Sequence, residues 1–541
     1  MSVDDTQTQT VTSGRSQILQ AASIVIVAFI LSRILGVVRD AVINYYFDID
    51  SLGANAYFIA SRFPETIFYI IAGGALGSAF IPTFSAYFVR EDGEGGWRLF
   101  SAVSNLVVIA TTIVSGITAV FAPQILELFY PDLLASTPGI ETLAVPLMRV
   151  MLLSPIVFGV SGVIMSALNA RQHFLLPALA PIVYNLGIIL GALLFAPNVM
   201  GLAYGTIGGA VGHLLIQLPA LRRKRAVYSP VITIHDPGVR QVIRLMAPRV
   251  LGLSFGQLNH LLMQFLAQSM PLGSIPALGI AWRIMIMPQG IIGQALGIAA
   301  FPTFSILAAQ SALVEMRRIL ADTLRLIAFL SLPASVLLII LRHPIVAVLF
   351  ERGQFGEEST ELVAWVLLFY SFSLVGLAAI EIISRAFYAM EDTVTPVVVG
   401  ALQLGSMWLF GAWLGNVLFA QILASPPAGG LAMGYSVSTF LELGLLLWLL
   451  RKKLGGLDGR HLLDGLWRMG IATALMSAVT YFIHEQLATF ASLWLLLLGS
   501  IVGGLVYLAV CSLLKVGEIE QLMNYGRRLL RVSKFGNRSS S

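Results

Sequence analysis

Residues 32–85 read SRILGVVRDAVINYYFDIDSLGANAYFIASRFPETIFYIIAGGALGSAFIPTFS, a stretch that is apolar enough to lie in a lipid bilayer. The charged side chains within its apolar runs are Arg33, Arg39, Asp40, Arg62 and Glu65. A charged side chain at the centre of a membrane costs about 2.5–3.5 kcal/mol by insertion measurements, so it usually faces a protein-lined cavity and has a function there. The stretch therefore indicates a helical membrane protein with a charged internal site.

The composition of the whole chain indicates the same class. Of its 541 residues, 57% are hydrophobic and only 11% are charged, against about 25% charged in a soluble domain. Apolar runs of roughly 18–25 residues recur along the chain, each long enough to cross the hydrocarbon core. We therefore predict an all-α polytopic membrane protein. The single cysteine, Cys511, excludes an internal disulfide and a cysteine-based metal site.

We predict about fourteen transmembrane helices from the apolar runs. They are residues 17–46, 54–88, 98–122, 142–168, 175–196, 199–220, 239–269, 276–308, 319–341, 360–388, 394–416, 429–450, 467–484 and 492–514. Basic connections, such as Arg222–Arg225 and Arg451–Lys453, alternate with connections that have almost no Lys or Arg, with Arg342 and Arg352 as exceptions. The positive-inside rule then places both termini in the cytoplasm, which agrees with an even number of spans.

An internal repeat divides the chain. ALGSAFIPTFS (75–85) recurs as ALGIAAFPTFS (295–305), with eight of eleven positions identical, and IASR (59–62) recurs as IAWR (280–283). The offset of about 220 residues gives two pseudo-symmetric lobes of six helices in the same orientation, a transporter arrangement with the substrate between the halves. The predicted divisions are a cytoplasmic tail (1–15), an N-lobe (16–225), a C-lobe (226–455), helices 13–14 (456–515) and a basic cytoplasmic tail (516–541).

The second and eighth spans occupy matching positions of the repeat, and both are interrupted by proline and glycine. Broken helices at matched positions of two repeats indicate the binding site and the moving parts of a transporter. The alternative is that these glycines only permit close helix packing. The predicted gating or hinge residues are Gly73, Gly74, Gly77, Pro288, Gly290 and Gly293.

Arginines outnumber acidic residues inside the predicted spans. Guanidinium groups stay charged when buried and bind phosphate through two parallel hydrogen bonds, so the excess predicts an anionic substrate such as a phosphate or pyrophosphate. The candidate substrate-binding residues are Arg33, Arg39, Arg62 and Arg283. The alternative is snorkelling or a structural ion pair, which is credible for Arg39 beside Asp40. We expect Glu65 to pair with Arg62.

Other chemistry is sparse in the sequence. There is no P-loop and no HExxH motif, which argues against an ATP-driven pump and a metalloprotease. We therefore predict a transporter and not an enzyme, with no cofactor and no metal site. His260 beside Asn259 is either a packing histidine or a proton carrier, and packing is the favoured interpretation.

Several ordered motifs of the chain resemble those of the MurJ (MviN) lipid II flippases, within the superfamily of multidrug, oligosaccharidyl-lipid and polysaccharide exporters. These are SRILGVVRDAVINYYF (32–47), GALGSAFIPTFSAYF (74–88), LNARQHFLLPALAPIVYN (168–185), PRVLGLSFGQLN (248–259), LFERGQF (349–355) and AFYAMEDTVTP (386–396). The resemblance spans about residues 16–515. It implies two six-helix lobes plus a C-terminal helix pair, and alternating access.

The resemblance also implies a substrate and a cellular role. The substrate is lipid II, the undecaprenyl-pyrophosphate-linked precursor of peptidoglycan, which moves from the cytoplasmic to the outer leaflet. The chain is then expected in the bacterial plasma (inner) membrane, in cell-wall biogenesis and the maintenance of cell shape. Expected partners are lipid II, the membrane and the cell-wall synthesis machinery, and no nucleic acid.

The functional arginines of the family correspond to Arg33, Arg39, Arg62 and Arg283. The chain departs from the family at Asn55 and Trp282, where acidic residues are frequent, at Phe68, where some members have arginine, and at Met263, where some have a sodium-site aspartate. The alternatives to a lipid II flippase are an exporter of another polyprenyl-linked oligosaccharide and a degenerate membrane scaffold of the same fold. A membrane-embedded enzyme is disfavoured because the sequence offers no carboxylate cluster.

Overall fold

The structure is a computed structural model that describes residues 27–28, 30–71, 75–487 and 491–519. Within these ranges the chain is helical and contains no strand, so the predicted all-α polytopic class is confirmed. The predicted tail 1–15 and most of the tail 516–541 lie outside the described residues, as do the predicted hinge residues Gly73 and Gly74.

The chain divides into two compact units, Met1–Pro276 with Arg352–Gly356, and Ala277–Glu351 with Glu357–Ser541. Up to the boundary the helices are α1 (30–46), α2 (Leu52–Ile71), α3 (Ala75–Val89), α4 (Gly93–Val120), α5 (Ala122–Phe129), α6 (Pro131–Ser136), α7 (Ile140–Met151), α8 (Ser154–Ala170), α9 (Leu175–Phe195), α10 (Met200–Leu215), α11 (Leu218–Arg223) and α12 (Pro237–Ala267). The remaining helices are α13 (Ser274–Gln289), α14 (Ala295–Ala309), α15 (Leu313–Ile340), α16 (Arg342–Phe350), α17 (Glu357–Ala389), α18 (Val394–Ala412), α19 (Pro427–Leu454), α20 (Gly459–Gln486) and α21 (Ser492–Leu513).

Eleven helical segments in the described part of the chain are long and apolar enough to cross a membrane. They coincide with the second to fifth and the eighth to fourteenth predicted spans. The other three predicted spans correspond to α1, α10 and α12. Helix α10 has only 16 residues, about 24 Å at 1.5 Å per residue, and α12 has 31 residues but is rich in polar side chains. The structure therefore agrees with about fourteen spans.

The eighth span is interrupted where the sequence predicted. Helix α13 ends at Gln289, a π-helical turn occupies Gly290–Gln294, and α14 continues from Ala295. A second π-helical segment, Trp413–Ile422, extends α18. Such turns shift the hydrogen-bond ladder by one residue and change the direction of the helix. In the second span, α2 and α3 flank residues 72–74, which are not described.

The internal repeat has a structural counterpart in the packing of the broken spans. A Cβ atom added at Gly77 of α3 would lie 3.3 Å from Oγ of Ser166 on α8. A Cβ atom added at Gly297 of α14 would lie 2.4 Å from Nε of Arg385 on α17. The two glycines are 220 residues apart and their partners are 219 apart. In each unit, a glycine after the break lets the helix approach a polar residue of a neighbouring helix.

Helices α9 and α10 pack backbone to backbone. A Cβ atom at Gly187 would lie 2.3 Å from Cα of Gly209, and one at Gly191 would lie 2.3 Å from the carbonyl oxygen of Gly201. The four-residue spacing of these glycines is the small-xxx-small pattern of tightly packed membrane helices. Close van der Waals contact, rather than the hydrophobic effect, therefore holds this pair together in lipid.

The two C-terminal helices pack against α15. The Tyr507 hydroxyl on α21 donates a 2.8 Å hydrogen bond to the Phe329 carbonyl of α15. At the end of the same helices, the buried Arg325 guanidinium forms two hydrogen bonds with the buried Glu518 carboxylate. Helices α20 and α21 are therefore fixed to the second unit by apolar contacts and by one buried ion pair.

Helix α12 belongs to the first compact unit, although the repeat assigns it to the C-lobe. It packs against α2 and α3, and its Asp236 side chain caps its first turn by accepting from Gly238 N and Val239 N. The division into an N-lobe and a C-lobe stays a prediction. The lobes are defined by sequence similarity between the repeats, whereas the compact units are defined by contacts in the structure.

The loop Arg352–Gly356 joins the first unit at the end of α1. The backbone N–H of Gln354 donates a 2.9 Å hydrogen bond to the Tyr45 carbonyl. Gly353 has a φ of +68°, and a Cβ atom there would lie 2.4 Å from the same carbonyl oxygen. Only glycine combines this backbone conformation with so close an approach.

Candidate functional site

Arg39 on α1 is held in an ion pair. Its Nη2 and Nε lie 2.7 and 3.0 Å from Oδ1 of the buried Asp40, and its Nη1 donates a 3.1 Å hydrogen bond to Oδ1 of Asn185 on α9. Asn185 in turn donates a 3.4 Å hydrogen bond to the Ser32 carbonyl. The contacts neutralise the arginine and join α1 to α9, which agrees with the ion-pair alternative for this residue.

Arg62 on α2 is buried without being neutralised in the same way. Its Nη2 donates a 2.6 Å hydrogen bond to Oε1 of Gln257 on α12, which is a neutral acceptor. The Glu65 carboxylate is 3.5 Å from Nη1 and its side chain is 48% exposed, so the expected pairing is present but long. Nε of Arg62 is buried without a hydrogen-bond partner. An unpaired buried donor on a cation is a site where an anionic oxygen would bind favourably.

Three glutamines, Gln257, Gln264 and Gln268, lie on one face of α12 and its C-terminal cap because they are spaced by seven and four residues. We call them the glutamine row. Gln264 accepts a 2.6 Å hydrogen bond from the hydroxyl of the fully buried Tyr130. Gln268 accepts from the backbone N–H of Asp132 at 2.8 Å and donates to its carboxylate at 3.2 Å. The row thus joins α12 to the segments that contain α2, α5 and α6.

The other two predicted arginines are half-buried, Arg33 on α1 and Arg283 on α13. Nε of Arg283 donates a 3.2 Å hydrogen bond to the Gly279 carbonyl one turn earlier. The neighbouring Trp282 stacks edge-to-face with Tyr370 and Tyr435, at centroid distances of 5.6 and 5.2 Å. The second unit therefore places a cation beside an aromatic cluster. Within the first unit Arg39 and Arg62 are on α1 and α2.

Two of the further arginines within the predicted spans, which sequence reasoning missed, form ion pairs in the structure. On α17, Nη2 of Arg385 lies 2.6 Å from Oε1 of Glu381, one turn earlier. On α15, Arg325 pairs with Glu518 and also donates to the His461 carbonyl at 3.1 Å. Both interrupt apolar runs and could have been found there. Each is paired with a carboxylate, so neither resembles Arg62.

A polar cluster of α8 and α10 also escaped the sequence analysis. Nδ1 of the buried His213 lies 2.7 Å from Oγ of Ser161. Nε2 of Gln217 donates to the same Oγ at 2.7 Å and to the His213 carbonyl at 2.9 Å. These bonds satisfy side chains that would otherwise be exposed to hydrocarbon, and they join two helices.

The described hinge candidates differ in how tightly they pack. Gly290 begins the π-helical turn and Pro288 lies just before it. A Cβ atom at Gly293 would lie 3.1 Å from Cα of Ala378 on α17 and 3.2 Å from Nε2 of Gln289. Close packing against α17 is therefore one reason for a glycine at residue 293. The gating role of the hinge candidates stays a prediction.

Three of the positions predicted to depart from the family pattern, Asn55, Phe68 and Met263, lie in local contacts within the first unit. The buried Asn55 donates from Nδ2 to the carbonyls of Ile49 and Ser51, at 2.8 and 2.9 Å, and accepts from the Gly273 N–H at 3.3 Å. Phe68 packs on Phe158 with ring centroids 4.7 Å apart. These residues therefore act in packing, with no charge at either position. Met263 is buried in the same way.

Comparison with known proteins settles the family. A sequence model of the lipid II flippase MurJ family matches residues 43–500. The chain belongs to this family. A MurJ relative from Vibrio cholerae, named "Probable lipid II flippase MurJ", is 28% identical over 517 residues, which cover 92% of this chain and 95% of the relative. The family resemblance found in the sequence is thus confirmed.

Solved structures share the MurJ fold. One described as "Lipid II flippase MurJ, inward closed conformation" matches with a TM-score of 0.73 at 24% identity, covering 90% of this chain and 98% of the other. An inward-facing multidrug resistance MATE transporter of the MOP superfamily matches with a TM-score of 0.65 at 16% identity, covering 80% and 99%. Both matches confirm the predicted transporter fold.

Proposed function

We propose that this chain flips lipid II from the cytoplasmic to the outer leaflet of the bacterial plasma (inner) membrane by alternating access. Membership of the MurJ family and the multi-pass helical fold support this assignment. The alternation of basic and non-basic connections supports cytoplasmic termini. Exchange of the precursor with the cell-wall synthesis machinery is part of the same proposal.

The observation that carries the proposal is the state of Arg62. It is a guanidinium inside a membrane-spanning segment, with a glutamine as its nearest partner, a half-exposed carboxylate at 3.5 Å and one buried donor without a partner. Burial of a cation that is only partly neutralised is costly in the empty protein. A pyrophosphate would supply the missing negative charge and acceptor oxygens. Arg62 therefore fits the diphosphate of lipid II.

The other arginines have graded roles in the proposal. Arg33 and Arg283 add positive charge and contact the headgroup. Arg39 contributes mainly to the arrangement of α1, because Asp40 and Asn185 already occupy its donors. Because the potential of fixed charges attracts an anion before it makes contact, even a paired arginine contributes to guiding the substrate.

Movement is proposed to occur at the interrupted spans. Span eight covers 36 residues, about 54 Å of helix at 1.5 Å per residue, which exceeds the hydrocarbon thickness. Span two contains α2 with 20 residues and α3 with 15. Bending at Gly77, Pro288, Gly290 and Gly293 would alternate access from one side of the membrane to the other. The driving force is an ion gradient, the membrane potential or the gradient of the substrate itself, since the sequence contains no P-loop.

Complementation of a flippase-depleted bacterial strain tests the function. Wild type should restore growth and rod or coccal shape, whereas Arg62→Ala and Arg283→Ala should not, at equal membrane abundance. The matched control is Arg149→Ala, because Arg149 is exposed at the end of α7 and donates only to the Ala119 carbonyl. Failure of the wild type to complement would contradict the proposed function.

A further inference from the structure

The guanidinium of Arg62 has one edge that is half occupied. Nε and Nη2 lie on the same side of the group and together form the fork that binds two phosphate oxygens side by side. Nη2 donates to Oε1 of Gln257 at 2.6 Å, whereas the neighbouring Nε is buried and has no partner. A phosphate that binds along this edge can accept a hydrogen bond from Nε directly. It can accept a second hydrogen bond from Nη2 only if it displaces the Gln257 amide.

We propose that Gln257 is a displaceable partner of Arg62, released by the substrate diphosphate, and that this release couples headgroup binding to α12. This inference rests on the proposed function, because it takes Arg62 as the phosphate-binding side chain. The amide holds the arginine in the empty transporter. The diphosphate replaces a neutral acceptor with a charged one, and the exchange is favourable because the phosphate adds charge–charge attraction and can bind Nε and Nη2 side by side.

The position of Gln257 in the glutamine row gives the exchange a structural consequence. Gln264 and Gln268 fasten the C-terminal end of α12 to Tyr130 and Asp132, while Gln257 is the described contact nearest the middle of the helix. Hydrogen bonds between side chains of neighbouring helices stabilise helix packing in a membrane. Loss of the Gln257 contact leaves the end attached and removes one polar contact between α12 and α2, which makes it easier for α12 to bend away from α2 at this residue.

Glutamine suits this role better than the alternatives. A carboxylate at residue 257 would form an ion pair with Arg62, as Asp40 does with Arg39, and the substrate would have to displace a charge. An apolar residue would leave two donors of a buried guanidinium unpaired. The Gln257 amide accepts a hydrogen bond from Arg62 in the empty protein and can be displaced by a phosphate oxygen. A transporter that binds and releases its substrate requires such a reversible exchange.

Binding of undecaprenyl pyrophosphate to the full-length protein in neutral-lipid nanodiscs tests the exchange. Gln257→Leu and the shorter Gln257→Asn remove the competitor, so affinity should rise roughly five- to tenfold. Gln257→Glu should lower affinity at least tenfold, because the new carboxylate holds Arg62 in an ion pair. Gln241→Leu, at an exposed glutamine of the same helix, is the matched control and should change nothing.

A distance measurement tests the coupling to α12. Spin labels at Leu128 of α5 and Leu258 of α12, both exposed, report on the movement of the middle of α12. The single native cysteine, Cys511, is buried and so does not compete for label. Ligand should shift the wild-type distances to longer values. Gln257→Leu should show the longer distances without ligand, and Gln257→Glu should keep the shorter ones.

The outcomes separate the inference from the function on which it rests. If Arg62→Ala binds undecaprenyl pyrophosphate as tightly as wild type, Arg62 is not the phosphate ligand and both statements are wrong. If Arg62→Ala loses binding while Gln257→Leu and Gln257→Glu match wild type in affinity and in distances, only the displacement is wrong. Weaker binding by folded Gln257→Leu and Gln257→Asn would show that the amide assists the substrate, which also overturns the inference.

Discussion

Nη2 of Arg39 lies 2.7 Å from Oδ1 of Asp40, and this contact distinguishes Arg39 from Arg62. The Asp40 side chain is only 6% exposed, and the Arg39 side chain is 18% exposed. Breaking a buried pair by removing one partner leaves an uncompensated charge, which is far more costly than losing the pair as a whole. Substitutions at the two arginine sites should therefore have different effects on the stability of the protein.

Asp40→Asn should destabilise the protein by about 3 kcal/mol, because it leaves Arg39 without its carboxylate. Arg62→Ala should leave the midpoint of thermal unfolding in detergent nearly unchanged, since the carboxylate that it leaves behind, Glu65, is half exposed and can be solvated. Differential scanning fluorimetry of both variants measures the contrast. If Asp40→Asn unfolds like wild type and Arg62→Ala is severely destabilised, the assigned roles are reversed.

Gly209→Ala should destabilise the α9–α10 pair by about 1–3 kcal/mol, a typical cost of overpacking. The new Cβ atom would lie 2.5 Å from the Tyr184 carbonyl oxygen, and a backbone atom can move only if the helices separate. Gly208→Ala is the matched control, because a Cβ atom there meets nothing within 4 Å. Equal unfolding midpoints for the two variants would contradict the packing described here.

Glu518→Ala should cost about 3–5 kcal/mol, because it leaves the buried Arg325 without its carboxylate. The control is Asp464→Ala, which removes a surface pair with Arg468 in which the Asp464 side chain is 53% exposed, and such pairs contribute at most about 1 kcal/mol. Thermal unfolding and limited proteolysis of the C-terminal helices measure the difference. A small effect of Glu518→Ala would show that apolar packing alone fixes those helices.

Gly293→Val should reduce lipid II transport about tenfold or more while the protein stays folded. The side chain would press on Ala378 of α17 beside the π-helical turn, because even a Cβ atom added at Gly293 would lie 3.1 Å from Cα of Ala378. Overpacking at this turn raises the free energy of bending. Gly400→Val, at an uncrowded position of α18, is the control. Normal transport by Gly293→Val would exclude a hinge at this turn.

The fold was largely predictable because hydropathy is a local property. A span needs about twenty consecutive apolar residues, so the sequence alone locates α2 with α3, α13 with α14 and most other spans. The spans harder to place from apolar length and composition alone were α10, which is short, and α12, whose polar residues are satisfied by tertiary contacts. The break at Gly290–Gln294 was predictable because glycine and proline act on their own backbone.

The site was predictable only as a set of residues, not as a set of contacts. The arginine excess identified Arg62, but its partner Gln257 is 195 residues away, and no local pattern links them. In the same way, the sequence shows a glutamine row on α12 only after Tyr130 and Asp132 are known to face it. The contacts that place α12 in the first unit join residues far apart in the sequence. The repeat predicts only the order of the helices along the chain.

The most direct test of the central claim is transport of fluorescent or radiolabelled lipid II between leaflets of proteoliposomes that contain the full-length protein, with and without an ion gradient. Wild type and Arg149→Ala should move lipid II at the same rate, and Arg62→Ala should fall to the rate of protein-free vesicles. Transport by Arg62→Ala at the wild-type rate would contradict the claim that Arg62 binds the diphosphate.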